Sequence, residues 1–394
     1  RVAIIHFWLT GMRGGERVVE SLCRMFPKAD IYTHVVRPEA LSQALLAHPI
    51  HTTFIQKLPG SIKHYQKYLP LMPLALEQLD LRGYDLVISS ESGPAKGVIT
   101  RADTPHICYC HSPMRYLWDF YQDYLDSTGP ATRFLMRPLF HRLRLWDYAS
   151  AQRVDHIIAN SRAVQRRVKR WWGRESTVIH PPVDVSAFAN PDMSQLKNVL
   201  GQPVPGSYYL CLGQLVSYKR VDLAVQACTA TGRNLIVSGD GPERKKLEKM
   251  AGPTVRFVGR ASSEAIPALY AGCKAFLFPG EEDFGITPLE ASAAGRPVIA
   301  YGKGGALDSI IPDETGLFFE QQNTDSLIAT LNSFETTGDT AWNVDRLKAH
   351  AQGFSGVLFH ERMGAYIRRL RIQTKNTCPS IWDHTLTFHY NFSL

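Results

Sequence analysis

The stretch EDFGITPLE, Glu282 to Glu290, follows the apolar run Ala275–Phe278 and its stop at Pro279 and Gly280. Leu289, Ala291, Ala293 and Ala294 carry on with a helical pattern, so the segment reads as a strand, a sharp turn and a helix N-terminus. Gly285 leaves room for a ligand to approach the backbone. Pro288 suits the first helical turn, where its missing N–H costs nothing. The open amides of that turn, with the helix dipole, form an anion site. Glu282 lies in the loop before the site and Glu290 on the helix behind it. A ligand with a phosphate in the middle and hydroxyls at both ends fits such a layout, and a nucleotide sugar is such a molecule. A plain strand–loop–helix with two surface glutamates would read the same way.

The same strand-then-helix rhythm runs through the chain. Candidate strands in the first half are Val2–His6, Asp30–Val35, Leu86–Ser89, His106–Cys110 and His156–Ala159. In the second half they are Tyr208–Leu212, Leu235–Ser238, Val255–Val258, Lys274–Phe278, Pro297–Ala300 and Leu317–Phe319. Such alternation predicts βα units and parallel sheets, an α/β fold. The rhythm breaks at His180-Pro181-Pro182-Val183-Asp184, where a Pro-Pro pair continues neither a helix nor a central strand. Two Rossmann-like, doubly wound domains are therefore expected, residues 1–183 and 184–361, facing an interdomain cleft that the strands' carboxyl ends line. Residues 362–394 are expected to hold a last helix, about Arg362–Ile372, packed back on the first domain, and a tail without a clear period.

A chain of 394 residues that is 44% hydrophobic has apolar content for two cores. No apolar run reaches membrane-spanning length, and the opening strand suggests no signal peptide. Seven cysteines lie scattered, Cys108, Cys110 and Cys211 in apolar runs, without zinc or disulfide spacing, so a reduced, cytoplasmic protein is expected. No Asp-x-Asp pair is present to hold a metal on a diphosphate, and no metal or cofactor is expected. The net charge of +8 is uneven: residues 1–182 hold 24 Lys and Arg against 15 Asp and Glu, while residues 183–394 hold 20 against 21. That excess predicts an anionic partner for the first half.

Four strand-end loops carry further chemistry. In Thr10-Gly11-Met12-Arg13-Gly14-Gly15-Glu16, the paired Gly14 and Gly15 would let the backbone meet a phosphate or sugar, or simply make a tight turn. His111, in Cys110-His111-Ser112-Pro113-Met114-Arg115-Tyr116, stands where a strand end would turn it to the cleft, unless it only caps the turn. Lys219 and Arg220 are adjacent cations before a helix, suited to a diphosphate leaving group or to solvent. Ser238-Gly239-Asp240-Gly241-Pro242 reads as a turn lining a nucleotide pocket or as plain structure.

These loops, in this order, resemble glycosyltransferase family 4, a family of the GT-B fold. The likeness rests on Gly14-Gly15, His111-Ser112-Pro113, Lys219-Arg220, Gly239-Asp240-Gly241-Pro242, Phe257-Val258-Gly259-Arg260, Leu269-Tyr270-Ala271 and the Glu282–Glu290 spacing, over roughly residues 1–360. The Gly14-Gly15-Glu16 and Cys110–Trp118 blocks look most like bacterial O-antigen and exopolysaccharide mannosyltransferases. The resemblance implies an acceptor-binding first domain and a nucleotide-sugar-binding second domain. It implies Glu282 on the donor sugar's hydroxyls, Glu290 on the ribose, and the amides of Phe284, Gly285, Ile286 and Thr287 on the diphosphate. Lys219 would neutralise the departing phosphate, His111 would face the sugar, Asp240 would lie by the nucleotide, and Val258 to Arg260 would border the base. The chain departs from the family at Gln214, where an Arg is common, and Arg220 would stand in for it. Asp283 and Asp308 replace a common Gly and Glu.

The implied function is a retaining hexosyltransferase. It would move mannose from GDP-mannose to a lipid-linked saccharide in bacterial polysaccharide or lipopolysaccharide biosynthesis, peripheral on the inner face of the cytoplasmic membrane and with no nucleic-acid partner. Other readings are a UDP-sugar donor, a GT-B nucleotide-sugar epimerase or a nucleotide-binding partner subunit. Two basic segments with interleaved aromatics, Arg162–Arg174 (including Trp171 and Trp172) and Lys57–Leu69, are the candidate membrane contacts.

Overall fold

The computed structural model describes residues 1–126, 128–201, 207–338 and 341–377, the side chains of 371–377 excepted. Most of the tail from Gln373 therefore lies outside the described residues. The chain forms two compact units, Arg1–Pro182 with the C-terminal helix from Val357, and Val183–Gly356. The first break falls in the Pro-Pro segment. The chain rejoins the first unit at Val357, ahead of the boundary suggested near residue 361, because Phe359, Met363 and Ile367 of the helix Gly356–Thr377 already belong to the first unit's core.

The first unit is a seven-stranded parallel sheet of β1 (Val2–His6), β2 (Asp30–Thr33), β3 (Ile50–Thr52), β4 (Leu86–Glu91), β5 (His106–Cys110), β6 (His156–Ala159) and β7 (Thr177–Val178), in the order β3-β2-β1-β4-β5-β6-β7. The second is a six-stranded parallel sheet of β8 (Tyr209–Leu212), β9 (Leu235–Ser238), β10 (Val255–Gly259), β11 (Ala275–Phe278), β12 (Val298–Tyr301) and β13 (Gly316–Phe319), in the order β10-β9-β8-β11-β12-β13. Both sheets start in the middle, build outward to one edge, then cross over and build to the other. The crossover puts β1 beside β4, and β8 beside β11, so loops from both halves of each sheet meet at one point. Sequence reading passed over β3 and β7, short edge strands with half-exposed residues and no apolar run.

The largest fully buried charged side chain in the first unit is Lys96, with no exposed side-chain surface. Its ammonium lies 2.5 Å from Asp147 Oδ1 and 3.4 Å from Glu91 Oε1, and 4.4 Å over the indole of Trp172. Glu91 also accepts the amides of Ala95 and Lys96. Asp147 Oδ2 accepts the indole N–H groups of Trp118 and Trp172, each at 2.8 Å. Burial alone would lower the lysine's pKa, but the two carboxylates outweigh it and hold the ammonium above its ordinary value. The cluster ties the end of β4 to three elements: the helix Pro130–Gln152, the helix Arg162–Trp172 and the loop that carries Trp118.

It also corrects the residue-level reading of Arg162–Arg174. Trp172 is fully buried. Trp171 stacks on Trp118 at 5.0 Å and donates to Asp119, and Arg167 pairs with Asp119 at 2.6 Å. The two indoles are held by carboxylates inside the unit and are not an exposed aromatic pair. Lys96→Ala is expected to destabilise the first unit by about 3–5 kcal/mol, since it leaves two carboxylates buried without their cation. Urea unfolding followed by indole fluorescence measures this. A loss below ~1 kcal/mol would contradict the cluster.

Candidate functional site

The second unit gathers its strand-end loops by packing backbone on backbone. After β8, Gly213 takes φ +140° and Gly239, after β9, takes φ +146°. A β-carbon on Gly239 would overlap the carbonyl oxygen of Gly213, and one on Gly241 that of Leu215. Leu215 N–H donates to Asp240 O at 2.9 Å, and Gly239 N–H to Gly259 O at 2.7 Å, which link three consecutive loops. After β11, Gly280 lies so close to the Lys219 backbone that a β-carbon would stand 2.7 Å from its Cα. After β12, Gly305 donates to the carbonyl of Glu282 at 2.8 Å, and β-carbons on Gly304 and Gly305 would overlap Glu282 and Phe284. Sequence reading missed the Gly304-Gly305 pair. It stands at a strand end before a helix, as Gly14-Gly15 does, and that position was its only signal.

This scaffold brings Lys219 and Glu282 together. The Lys219 ammonium lies 2.8 Å from Glu282 Oε1, both side chains being about one-fifth exposed. Burial works to lower the lysine's pKa, and the Glu282 charge and hydrogen bond overcome it, so the ammonium is held above its ordinary value. Beside the pair, the helix Ile286–Ala293 begins at Gly285, whose φ of +80° excludes most side chains and which offers no capping group to the first amides. Phe284 is buried, whereas Ile286 and Thr287 are partly exposed. One turn on, Glu290 Oε2 accepts a hydrogen bond from the buried Tyr270 hydroxyl at 3.1 Å. Tyr270 entered the sequence reading only as part of a resemblance; its grip on Glu290 depends on the packing of the helix Ile266–Gly272.

Arg220 is not gathered with Lys219. It adopts a left-handed φ of +48°, unusual for a side-chain-bearing residue, and its guanidinium is paired with Asp222 at 3.0 Å and lies 3.5 Å from Gln322. Its charge is thus matched inside the next helix's first turn, a different setting from the stand-in for Gln214 that the sequence suggested. Asp240 is exposed and accepts the Gly241 amide at 2.8 Å; Val258 is half-buried and Arg260 is exposed on the neighbouring loop.

In the first unit, Gly14 and Gly15 begin the helix Gly14–Met25, and buried Glu16 accepts the Arg13 amide at 3.1 Å. A β-carbon on Gly15 would stand 3.3 Å from His6 and 3.7 Å from His111. His111 follows β5, its amide bonded to Glu91 O at 2.8 Å, and its ring Nε2 lies 2.8 Å from Ser90 Oγ. Burial lowers its pKa to about 4, so the ring is neutral at physiological pH. Among the described residues, no three His, Cys, Asp or Glu side chains are grouped as a metal site.

Residues 12–187 match the family described as Glycosyltransferase Family 4, and residues 192–346 match Glycosyl transferases group 1. The chain belongs to glycosyltransferase family 4. It is 31% identical over 208 residues to the GDP-mannose-dependent alpha-mannosyltransferase of Mycolicibacterium smegmatis, over 50% of this chain and 52% of that protein. It is 28% identical over 209 residues to the lipopolysaccharide core biosynthesis mannosyltransferase LpsB of Rhizobium meliloti, over 48% and 58%. The chain thus spans about half the length of the curated relatives it matches. Among solved structures, Anabaena HepE in complex with UDP and glucose matches with a TM-score of 0.71 at 20% identity, over 93% of this chain and 99% of that one. WaaG, a glycosyltransferase involved in lipopolysaccharide biosynthesis, matches with a TM-score of 0.66 at 15% identity, over 92% and 98%. These likenesses show the GT-B fold.

Gly305→Ala tests the scaffold of this family 4 site. The new methyl group would overlap Phe284, so the loop bearing Glu282 must shift. A melting temperature several degrees lower is expected, since forced overpacking typically costs ~1–3 kcal/mol. Gly356→Ala, where a β-carbon meets nothing within 4 Å, should change it little. Equal melting temperatures for the two variants would contradict the packing.

Proposed function

We propose that this protein is a retaining hexosyltransferase that moves mannose from GDP-mannose to a lipid-linked saccharide in bacterial surface polysaccharide synthesis. The observation that carries the proposal is the Lys219–Glu282 pair beside the uncapped start of the helix Ile286–Ala293, with Glu290 one turn further on. That order, carboxylate, cation with open amides, carboxylate, matches sugar, diphosphate and ribose. Family membership and the names of the curated relatives support a mannosyl donor.

In this reading the diphosphate caps the helix, and Lys219 turns from Glu282 toward it. Glu282 is then released to the sugar hydroxyls, and Tyr270 keeps Glu290 aimed at the ribose. The leaving phosphate takes the acceptor's proton on the face from which it departs, so the anomeric configuration is kept. Catalysis is positioning plus charge stabilisation, with Lys219 and the amides strengthening as negative charge builds on the phosphate.

A melting-temperature panel of nucleotide sugars and a transfer assay test this together. GDP-mannose at 100 times its dissociation constant should stabilise the protein by ~2.7 kcal/mol. Transfer should persist in EDTA, and Lys219→Ala should lower turnover at saturating donor by about 10²–10³-fold. Glu290→Ala should weaken GDP binding, while Glu282→Ala should lower turnover more than GDP affinity. Stabilisation by UDP-sugars alone would replace the donor assignment, a second reading that the UDP-bound HepE likeness favours. Release of an epimerised sugar nucleotide without transfer would overturn the reaction class.

The lipid-linked acceptor and an anionic bilayer surface form the second part of the proposal. No helix among the described residues is long and apolar enough to cross a membrane. The helix Pro130–Gln152 buries Phe140, Leu143, Asp147 and Ser150. Its opposite face exposes Phe134 (77%), Leu135 (69%), Leu145 and Tyr148, with Arg137 and Arg142 beside them. Lys57, Lys63, His64 and Lys67 are exposed near Ile62 and Leu71. Apolar side chains among cations suit an anionic headgroup layer. Replacing Phe134 and Leu135 by Ser should reduce co-sedimentation with phosphatidylglycerol vesicles by on the order of tenfold or more, with unchanged melting temperature and donor binding. Equal sedimentation of variant and wild type would remove this helix from the contact.

A further inference from the structure

Three neighbouring strands put two histidines and a serine in one row. β1 pairs with β4 so that His6 stands opposite Ser90, and β5 continues the row beyond Cys110 to His111. Ser90 and Glu91 point to opposite faces of the sheet, as alternate strand residues must. Glu91 enters the Lys96 cluster, while Ser90 Oγ lies 3.0 Å from His6 Nδ1 and 2.8 Å from His111 Nε2. His6 and Ser90 are wholly buried; His111 is partly exposed. Gly15 is packed over both rings at distances that leave little room for a side chain. The remaining nitrogen of His6, Nε2, is buried with no hydrogen-bond partner among the described residues.

Proton counting gives this row a direction. Burial keeps both imidazoles neutral, His6 well below its ordinary pKa and His111 at about 4. A neutral imidazole has one N–H, and a hydroxyl has one O–H. The hydroxyl could also accept from both rings at once, but the wholly buried Ser90 O–H would then have no acceptor, since the two rings are its only side-chain hydrogen-bond partners among the described residues. Two arrangements satisfy both contacts and also use that O–H. In the first, His6 Nδ1–H donates to Ser90 Oγ, whose O–H donates to His111 Nε2. In the second, the chain runs backward, and the proton of His6 sits on Nε2, a buried N–H with no acceptor. Orphaned buried N–H groups are rare and costly. The first arrangement leaves only a bare lone pair at that position.

We propose that His6 and Ser90 are positioning residues that fix His111 in the tautomer bearing its proton on Nδ1, so that His111 offers a hydrogen-bond donor, and no basic nitrogen, to a sugar hydroxyl. The sugar part of this statement rests on the transferase reading above; the tautomer part does not. In that tautomer His111 cannot take the acceptor's proton through its outer nitrogen. It can hold an oxygen of the donor sugar in place while the phosphate serves as the base.

Histidine nitrogen–carbon NMR correlations on the full chain at pH 7 read the tautomer directly, without substrate. Wild type should show His111 protonated on Nδ1, the minor form of free histidine. A spectrum with His111 protonated on Nε2, or on both nitrogens, overturns the proposal with no variant needed. Ser90→Ala should return His111 to the Nε2 form, whereas Ser90→Thr, which keeps the hydroxyl, should preserve the wild-type spectrum. Transfer assays with the same pair should show kcat lower by about tenfold in Ser90→Ala, the scale of one lost hydrogen bond, with the threonine variant near wild type. An unchanged His111 tautomer in Ser90→Ala would overturn the relay. A shifted tautomer in a protein that transfers no sugar from any nucleotide donor would leave the relay standing and refute the transferase reading.

Discussion

A β-carbon on Gly305 would overlap the backbone of Phe284, and that exclusion governs the loop bearing Glu282. Parallel strands end with all their loops on one edge, and in the second unit those loops are stacked so closely that glycine is the only residue that fits at Gly239, Gly241, Gly280, Gly304 and Gly305. Close stacking has a chemical result. Carbonyls and amides that a looser loop would give to water bond each other, as Leu215 does with Asp240 and Gly305 with Glu282. Beside this stack stand the Lys219–Glu282 pair and the start of the helix Ile286–Ala293, which has no side-chain cap. Backbone contacts fix the main-chain positions from which these groups reach.

The two units use charge differently. In the first, Lys96 is matched by two carboxylates, which in turn accept two backbone amides and two indole N–H groups, with no side-chain surface of the three charged residues exposed. Every partner is present within the fold, so the cluster locks elements together and leaves nothing for a ligand to do. In the second, Lys219 and Glu282 form a single contact and keep part of their surface. Separating a pair that keeps some water contact costs less than breaking one with none. An incoming anion can therefore exchange for the carboxylate, which is what the proposed donor requires.

Much of this was legible in the sequence, and each failure has a physical cause. The central strands are apolar runs because both faces of a parallel sheet are covered, so they read clearly. β3 and β7 were missed because these two edge strands are very short and carry no such run. The motif loops at Gly14-Gly15, His111, Lys219 and Glu282 were placed at strand ends, where they lie. Trp171 and Trp172 were misjudged by adjacency: next to cations they read as interfacial. Yet Val164, Val168 and Trp172 follow the i, i+4, i+8 spacing of one buried helix face, and that period was the better guide. Arg220 was grouped with Lys219 for the same reason, although a left-handed residue between a 3₁₀ turn and a helix sends neighbouring side chains apart.

Pairings across the sheet were the least legible, because register is a property of the fold and not of any one segment. Nothing local in Val2–His6 indicates that His6 will face Ser90, or that Ser90 will also face His111. Once β1, β4 and β5 are laid side by side, the row follows, and Gly15 above it takes on a second meaning. Read alone, Gly14-Gly15 suggests a backbone that meets a phosphate. Packed against His6 and His111, Gly15 is also the residue that lets the helix Gly14–Met25 close over the two rings. A β-carbon there would already stand 3.3 Å from His6 and 3.7 Å from His111, so a longer side chain would press on a row whose proton order depends on burial. The glycine that reads as a ligand contact thus also lets the helix lie close over the hydrogen-bond chain beneath it.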